Sequence, residues 1–232
     1  MPTIVDQTKQ TTRTGTAAGA APTTAAVEGA PRMRLSPKTL YLAGGAAVLL
    51  ALIAWGVTVS GKRKAEYSAR ALDEARAVAE SGNLPLASSS LQKVIQSYAG
   101  TPAAEEAVIT LNQVRLVNGQ SELAVVNLRE YLNGKHDPQY VAAANGLLGT
   151  ALENAKRPAE AAAAYRAAAD ASPVDYLKAD YLLDAGRAFR DGGKAAEARA
   201  VYQEVLDKYP KTAAVTEAQV RLAELTASRP QA

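Results

Sequence analysis

The residues that could perform acid–base or metal chemistry are few and poorly placed for it. The chain has no cysteine and a single histidine, His136, which excludes thiolate chemistry and argues against a histidine-built metal site or a Ser-His-Asp triad. The pairs Asp73-Glu74 and Glu105-Glu106 fall on predicted helices. Adjacent side chains diverge by about 100° on a helix, so neither pair can share a proton or a metal ion. His136 is predicted to be an exposed turn residue.

A phosphate-binding loop is also absent from the sequence. The run Asp191-Gly192-Gly193-Lys194 lacks the full spacing of the nucleotide-binding motif and falls in a turn between two predicted helices. No catalytic, cofactor-binding or metal-binding residue is therefore assigned, and the sequence predicts a protein that is not an enzyme and needs no cofactor.

The distribution of charge argues against nucleic acid as a partner. Residues 1–65 hold eight Lys or Arg against two acidic residues, a net of +6, while residues 66–232 hold 18 against 21, a net of −3. Because the part with helical periodicity lacks a basic surface, we expect no nucleic-acid binding. The basic excess flanks an uncharged run, where it suits anionic lipid headgroups.

The uncharged run predicts a membrane anchor. Residues 39–61 carry no charge between Lys38 and Lys62, with Tyr41 near one end and Trp55 near the other. At about 1.5 Å per residue this length crosses a hydrocarbon core of about 30 Å. A cleaved signal peptide fits less well because the run is long and is followed by Lys-Arg-Lys. We expect a transmembrane helix at 38–62, a basic linker at 63–66 and a disordered Thr/Ala/Gly-rich tail at 1–37.

Two features of this segment stay open in the sequence. Ala43, Ala47 and Ala51 recur every four residues and form a hypothetical small-residue packing face for another helix. Three basic residues precede the run and three follow it, so the positive-inside rule does not orient the chain.

The most informative pattern is an internal period of 37 residues. Small, large and paired apolar residues recur at spacings of four, three and one, which places them on one stripe of a helix. The recurring positions are Ala87, Ala124, Ala161 and Ala198; Leu91, Leu128, Tyr165 and Tyr202; Val94, Tyr131, Ala168 and Val205; and Ile95, Leu132, Ala169 and Leu206. A turn and another amphipathic run precede each stripe, so each repeat is predicted to be two helices joined by a tight turn.

The last two units resemble the tetratricopeptide repeat. Their matching residues are Leu148, Gly149, Leu152, Ala161, Tyr165, Ala168 and Pro173, then Leu182, Gly186, Phe189, Gly193, Ala198, Tyr202 and Pro210. The first two units depart from the pattern, with Asn112 at the small position and Arg115 at the following aromatic one. The resemblance implies an all-α solenoid of about four helix pairs over residues 67–227, closed by a capping helix at Thr212–Thr226 with Val220, Leu222 and Leu225 inward. Residues 228–232 are expected to be a disordered C-terminus.

The family's binding groove can be carried onto this sequence residue by residue. The resemblance implies a protein-interaction scaffold whose concave groove is lined by the first helix of each pair. The corresponding positions form a mixed apolar and charged surface suited to an extended or helical peptide: Leu72, Arg76, Glu106, Ile109, Gln113, Leu116, Glu153, Asn154, Leu183, Arg187 and Arg190.

The order of tail, span and repeats resembles the single-span ancillary subunits of the bacterial Sec translocon. That resemblance implies a chaperone-like subunit in the inner membrane, with its repeats in the periplasm and membrane-complex subunits as partners. An accessory or assembly subunit of another large membrane complex, respiratory or photosynthetic, is the alternative. The sequence does not identify the partner, the oligomeric state or an ordered role for the tail.

Overall fold

The computed structural model describes residues 37–227, which form α-helices joined by short turns. At positions 37, 39, 40, 42–44, 47 and 57 it describes the backbone only. The all-α prediction is confirmed for this part. The helices are α1 Pro37–Glu80, α2 Leu84–Ser97, α3 Pro102–Val117, α4 Ser121–Leu132, α5 Pro138–Asn154, α6 Pro158–Ala171, α7 Asp175–Asp191, α8 Ala195–Lys208 and α9 Ala214–Ala227. The chain divides into two compact units, Met1–Ala51 and Leu52–Ala232. The described part of the first unit is the start of α1. The rest of α1 and helices α2 to α9 belong to the second unit.

Side-chain caps and prolines fix where several helices begin. Asn83 accepts a hydrogen bond from the Leu86 amide, and Thr101 Oγ1 accepts one from the Ala104 amide at 3.2 Å. Asp137 accepts from the Gln139 amide in the same way at 3.1 Å. Such caps satisfy amide groups that have no partner within the helix. Proline in the first turn of α2, α3, α5 and α6 removes one of those free donors.

The turns inside the helix pairs use the left-handed backbone conformation. Gly82, Gly119 and Gly193 have φ of 83°, 72° and 75°, and Lys156 takes the corresponding place in the third pair with φ of 61°. Glycine adopts this conformation without a steric penalty, whereas a residue with a Cβ is strained there. Lys156 is therefore a position of local strain in the tight turn between α5 and α6.

Packing joins each helix to its neighbours in sequence and builds two core clusters. Successive helices from α2 to α9 pack against one another, and α3 also packs on α5 and α7 on α9. One cluster joins the end of α1 with α2 and α3 through Leu72, Leu91 and Leu111. The other runs from α4 to α9 and includes Tyr165 and Tyr202. Contacts limited to near neighbours are the arrangement of a solenoid.

Helix α9 covers the last pair, close to the expected capping helix. Ala214 and Ala218 are buried, and Leu222 and Leu225 are half-buried against the second cluster. Val220, which was expected to face inward, is 51% exposed. The helix therefore contacts its neighbours mainly through alanines.

Size-matched residues set the spacing between the two helices of a pair. A Cβ added to Gly149 would lie 2.6 Å from Tyr165 Cε1, and one added to Gly186 would lie 2.3 Å from Tyr202 Cε1. The tyrosine ring thus lies directly on the glycine of the facing helix. At the same register the second pair has Asn112 facing a leucine instead.

The prediction of a membrane anchor is wrong on the described residues. Within residues 37–227, apart from the positions without side chains, no helix is long and apolar enough to cross a membrane. In addition, α1 does not end at the basic triplet but continues to Glu80. The predicted single-pass, inner-membrane location with periplasmic repeats is corrected accordingly. Lipid contact through the span is not shown.

Several predictions concern residues near the chain ends that the structure does not describe. The tail, apart from Pro37, and the last five residues lie outside the described range. The side chains of Ala43 and Ala47 also lie outside it, whereas Ala51 is exposed. The small-residue packing face therefore stays a prediction.

Candidate protein-binding site

The first helix of each pair carries the residues predicted to bind a partner, and ion pairs join these helices to one another. Arg76 on α1 lies 2.6 Å from Glu106 on α3. Arg187 on α7 lies 3.0 Å from Glu153 on α5. Each pair is partly solvated, so its contribution to stability is about 1 kcal/mol or less. Their consequence is geometric, because they fix charged side chains between successive first helices.

Glu153 is the centre of a polar network that the glycine–tyrosine contact makes possible. Because Gly149 has no side chain, the Tyr165 ring crosses the face of α5 and its hydroxyl donates to Glu153 Oε2 at 2.7 Å. The same hydroxyl lies 3.1 Å from Thr150 Oγ1. Arg187 donates to Glu153 Oε2 at 3.0 Å and its Cζ lies 5.9 Å from the Tyr165 ring centroid.

Partial burial and the contacts within this network shift the pKa values of its members. Burial works against the charge of Arg187, but its hydrogen bond to Glu153 and the nearby charge of Asp184 raise its pKa overall. Burial raises the pKa of Asp184, although Arg187 opposes the shift. Burial and the contact with Glu153 raise the pKa of the Tyr165 phenol. The arginine stays charged and the phenol stays protonated at neutral pH.

Beside this network lies an opening between α3, α5 and α7 with a volume of about 250 Å³. Its lining combines apolar surface with amide, hydroxyl and carboxylate groups: Ile109, Gln113, Ala143, Gly146, Leu147, Thr150, Tyr165, Tyr181 and Asp184. We call it the first-helix opening. Tyr181 lies against Gly146, where an added Cβ would be 2.6 Å from the ring.

The structure brings some of the predicted groove residues together and separates others. Ile109 and Gln113 line the first-helix opening, and Glu153 and Arg187 lie in the adjacent network. Leu72 is 3% exposed and belongs to the core cluster of the first pairs, and it lines an opening of about 220 Å³ together with Arg76 and Glu106. The remaining predicted positions stand at partly or fully exposed sites: Arg76, Glu106, Leu116, Asn154, Leu183 and Arg190. Arg190 pairs with Asp191 at 2.9 Å and approaches Glu224 at 4.0 Å.

The single histidine is not the exposed turn residue that the sequence suggested. Its side chain is 16% exposed, and its ring stacks on Tyr131 with 3.8 Å between centroids. His136 Nδ1 lies 2.8 Å from Glu105 Oε2 without hydrogen-bond alignment, and the Tyr131 hydroxyl donates to the same oxygen. Burial, then the contact with Glu105, raises the pKa of Tyr131. No local pattern reveals this cluster, because Glu105 is 31 residues from His136.

Chemically, the described site is equipped for recognition. Among the described residues, no group of three or more His, Cys, Asp or Glu side chains is placed to hold a metal ion. Glu153, Arg187 and the Tyr165 hydroxyl are engaged with one another, and the opening offers apolar contact beside these groups. This combination suits the binding of a peptide segment.

The family follows from comparison with known proteins. The family model described as tetratricopeptide repeat matches residues 113–176, 147–213 and 183–231, overlapping segments that together cover about half of the chain. The chain belongs to the tetratricopeptide repeat family. Proteins of this fold are generally non-catalytic scaffolds for protein–protein interaction. The resemblance to the Sec ancillary subunits is not confirmed.

Solved structures support the same fold. A tetratricopeptide repeat protein from Parabacteroides merdae matches with a TM-score of 0.54 and 13% identity, covering 69% of this chain and 60% of that one. A structure titled MamA protein matches with a TM-score of 0.50 and 18% identity, covering 69% of this chain and 86% of that one. The chain thus spans less than two thirds of the first of these proteins. No curated protein sequence matches it. At these identities the likeness concerns the fold alone.

Proposed function

We propose that this protein is an adaptor that holds a segment of a partner protein on the face formed by its first helices. The observation that carries the proposal is the first-helix opening, where Ile109 and Leu147 provide apolar surface beside Gln113 and Thr150. The Arg187–Glu153 ion pair bridges α5 and α7 beside the opening, so the polar groups at its edge are already placed before a peptide binds. A preorganised surface reduces the entropic cost of binding.

The proposal is tested by site-specific photocrosslinking in cells that express the full chain. A photoreactive residue at Gln113, which is exposed and lines the opening, is expected to capture a defined partner segment. The matched control places the same residue at Asp170, which is exposed on α6. Crosslinks are identified by mass spectrometry and repeated with Leu147→Glu, which puts a charge into the opening and is expected to abolish them.

Equal crosslinking from Gln113 and Asp170, or crosslinks that persist in Leu147→Glu, would contradict binding at this face. The number of partners then refines the function. Many different segments at low yield support a chaperone-like role. One partner at stoichiometric yield supports an accessory subunit of a larger assembly. Charge reversal of Arg187 is a poor test, because it would disrupt the ion pairs with Glu153 and Asp184 as well.

A further inference from the structure

A second and larger cavity lies on a different face of α3, between α2, α3 and α4. Its volume is about 390 Å³, within the range of ligand-binding clefts. Apolar residues on one part of its lining, Ile95, Val108 and Leu111, adjoin polar residues on another, Gln92, Arg115 and Asn127. We call it the Arg115 cleft, and it shares no lining residue with the first-helix opening.

Arg115 stands at a register position that is apolar in the other helix pairs. The residues at multiples of 37 positions from it are Val78, Leu152 and Phe189. Leu152 is 1% exposed, and Phe189 packs against the core cluster. In the third and fourth pairs the position closes the space between helices. In the first pair Val78 lines an opening of about 350 Å³, and in the second pair the position brings a guanidinium to the edge of the corresponding cleft.

The second pair carries two further polar residues in the same cleft at positions filled by small or apolar residues later in the chain. Asn127 corresponds to Ala164 and Val201, which are 7% and 1% exposed. Asn112, which is 1% exposed, corresponds to the two glycines that contact tyrosine rings. Three polar replacements that all line one cleft are the features of a site rather than of a degraded core.

The polar partners of Arg115 leave most of its donors available. Its Nη1 donates to Asn112 Oδ1 at 3.3 Å. Within the described part of the chain it forms no ion pair, although Glu130 also lines the cleft. A guanidinium has five N–H donors in a fork that matches a carboxylate. Partial burial also lowers the pKa of Arg115, since its charge loses hydration without gaining a carboxylate.

We propose that the Arg115 cleft binds an acidic side chain within an apolar segment of a partner protein. The Asp or Glu carboxylate of that segment accepts hydrogen bonds from Arg115, with the amides of Gln92 and Asn127 as further donors. The flanking apolar residue packs on Ile95, Val108 and Leu111. Charge complementarity selects this occupant, because a half-buried cation with available donors favours a carboxylate over a neutral or basic segment. The site goes beyond the proposed function and uses a different surface.

The test uses the full chain and an array of random 12-residue peptides, followed by fluorescence anisotropy of the tightest binders. Peptides captured by the cleft are expected to contain an acidic residue beside apolar ones. Replacing that Glu by Gln in the peptide should weaken binding to the wild-type protein about tenfold or more. Arg115→Gln, which keeps a donor for Asn112, should show the same loss and become insensitive to the peptide change. Arg115→Lys should retain part of the affinity.

Two controls separate this site from other effects. Arg166→Gln removes the same charge from α6 and should leave acidic-peptide binding unchanged. Leu147→Glu, which blocks the first-helix opening, should also leave it unchanged, so failure of one proposal does not imply failure of the other. Asn127→Ala introduces the residue type of the third pair and should weaken binding severalfold. It is the alternative variant if the circular-dichroism spectrum shows that Arg115→Gln does not fold.

Three results would overturn the proposal. The first is an array with no preference for acidic peptides. The second is binding of acidic peptides that Arg115→Gln and Asn127→Ala leave unchanged. The third is binding of glutarate alone as tightly as the selected peptide, which would make the cleft a site for a free small anion.

Discussion

The first two helix pairs and the last two fill the same space with different side chains. In the last two, a glycine on the first helix receives a tyrosine ring from the second, at Gly149–Tyr165 and Gly186–Tyr202. In the first two, the same register positions hold Ala75 and Leu91, which share a core cluster, and Asn112 and Leu128. A larger residue on one helix is thus matched by a smaller one on the other. The difference teaches that the fold constrains the summed volume at this contact more strongly than the residue types.

The largest expected effect comes from breaking one size-matched pair. Gly186→Ala forces a Cβ against the Tyr202 ring, and Tyr202→Leu leaves a cavity in the core, so each should lower the free energy of unfolding by about 2 kcal/mol. The double variant recreates the Ala75–Leu91 pair and should be no less stable than either single variant. Urea denaturation followed by circular dichroism, with hydrogen exchange to locate the loss, measures this. Additive losses in the double variant would contradict size matching.

A smaller effect on stability is expected from the turns inside the helix pairs. The left-handed position in these turns is glycine in three pairs and Lys156 in the third. Gly119 has φ of 72° with open space around its Cβ position, so Gly119→Ala should cost about 1–2 kcal/mol from backbone strain alone. Lys156 holds the same conformation with a side chain, so Lys156→Gly should gain about 0.5–1 kcal/mol. Thermal unfolding of both variants provides the measurement. Destabilisation by Lys156→Gly would mean that its side chain contributes more than its backbone costs.

Next in size is the cap of α3, the first helix of the second pair. Thr101 is 7% exposed, and its hydroxyl accepts from the Ala104 amide. Thr101→Ala should therefore cost about 1 kcal/mol in urea denaturation. Thr226→Ala provides the control, because Thr226 is exposed and its hydroxyl donates to a carbonyl within α9. Equal effects of the two substitutions would contradict a capping role.

The smallest expected effect concerns the surface between α4 and α6. Hydrogen bonds from Arg157 and then Arg129 lower the pKa of Glu160 to about 2. A carboxyl group whose pKa is lowered on folding stabilises the folded state at every pH above its pKa in the unfolded chain. This contribution is lost as the pH falls towards the folded-state pKa of about 2. An NMR titration of the Glu160 carboxyl should show a midpoint near 2 that rises towards the ordinary range in Arg157→Gln. A midpoint unchanged by Arg157→Gln would show that the contact is not maintained in solution. Because Glu160 is exposed, the effect on stability is expected to be slight.

Much of the fold could be predicted because its determinants are local. The period of 37 residues, the glycine turns and the apolar stripes depend on residues within one helix pair, and hydrophobic periodicity reports them directly. The membrane anchor was predicted from an uncharged run of 23 residues, but among the described residues no helix is long and apolar enough to cross a membrane. Val220 was misplaced, because α9 packs on its neighbours through Ala214 and Ala218 and leaves Val220 51% exposed.

The candidate site was predictable only in outline. The sequence located the first helices and suggested Ile109, Gln113, Glu153 and Arg187 as surface positions, but it also placed the buried Leu72 among them. It also contained the unusual residues of the second pair, Asn112 and Arg115, as departures from the repeat. What it did not show was that these departures line one cleft.

By itself, then, the sequence determined the helix pairs and their register, because side chains separated by a fixed number of residues repeat the same packing. Only the tertiary structure decided which charged groups meet. Glu105 reaches His136, and Glu153 reaches Arg187, across 31 and 34 residues. These contacts depend on the distance and rotation between neighbouring helices. Side-chain volumes across the whole array set those quantities, and no local pattern encodes them.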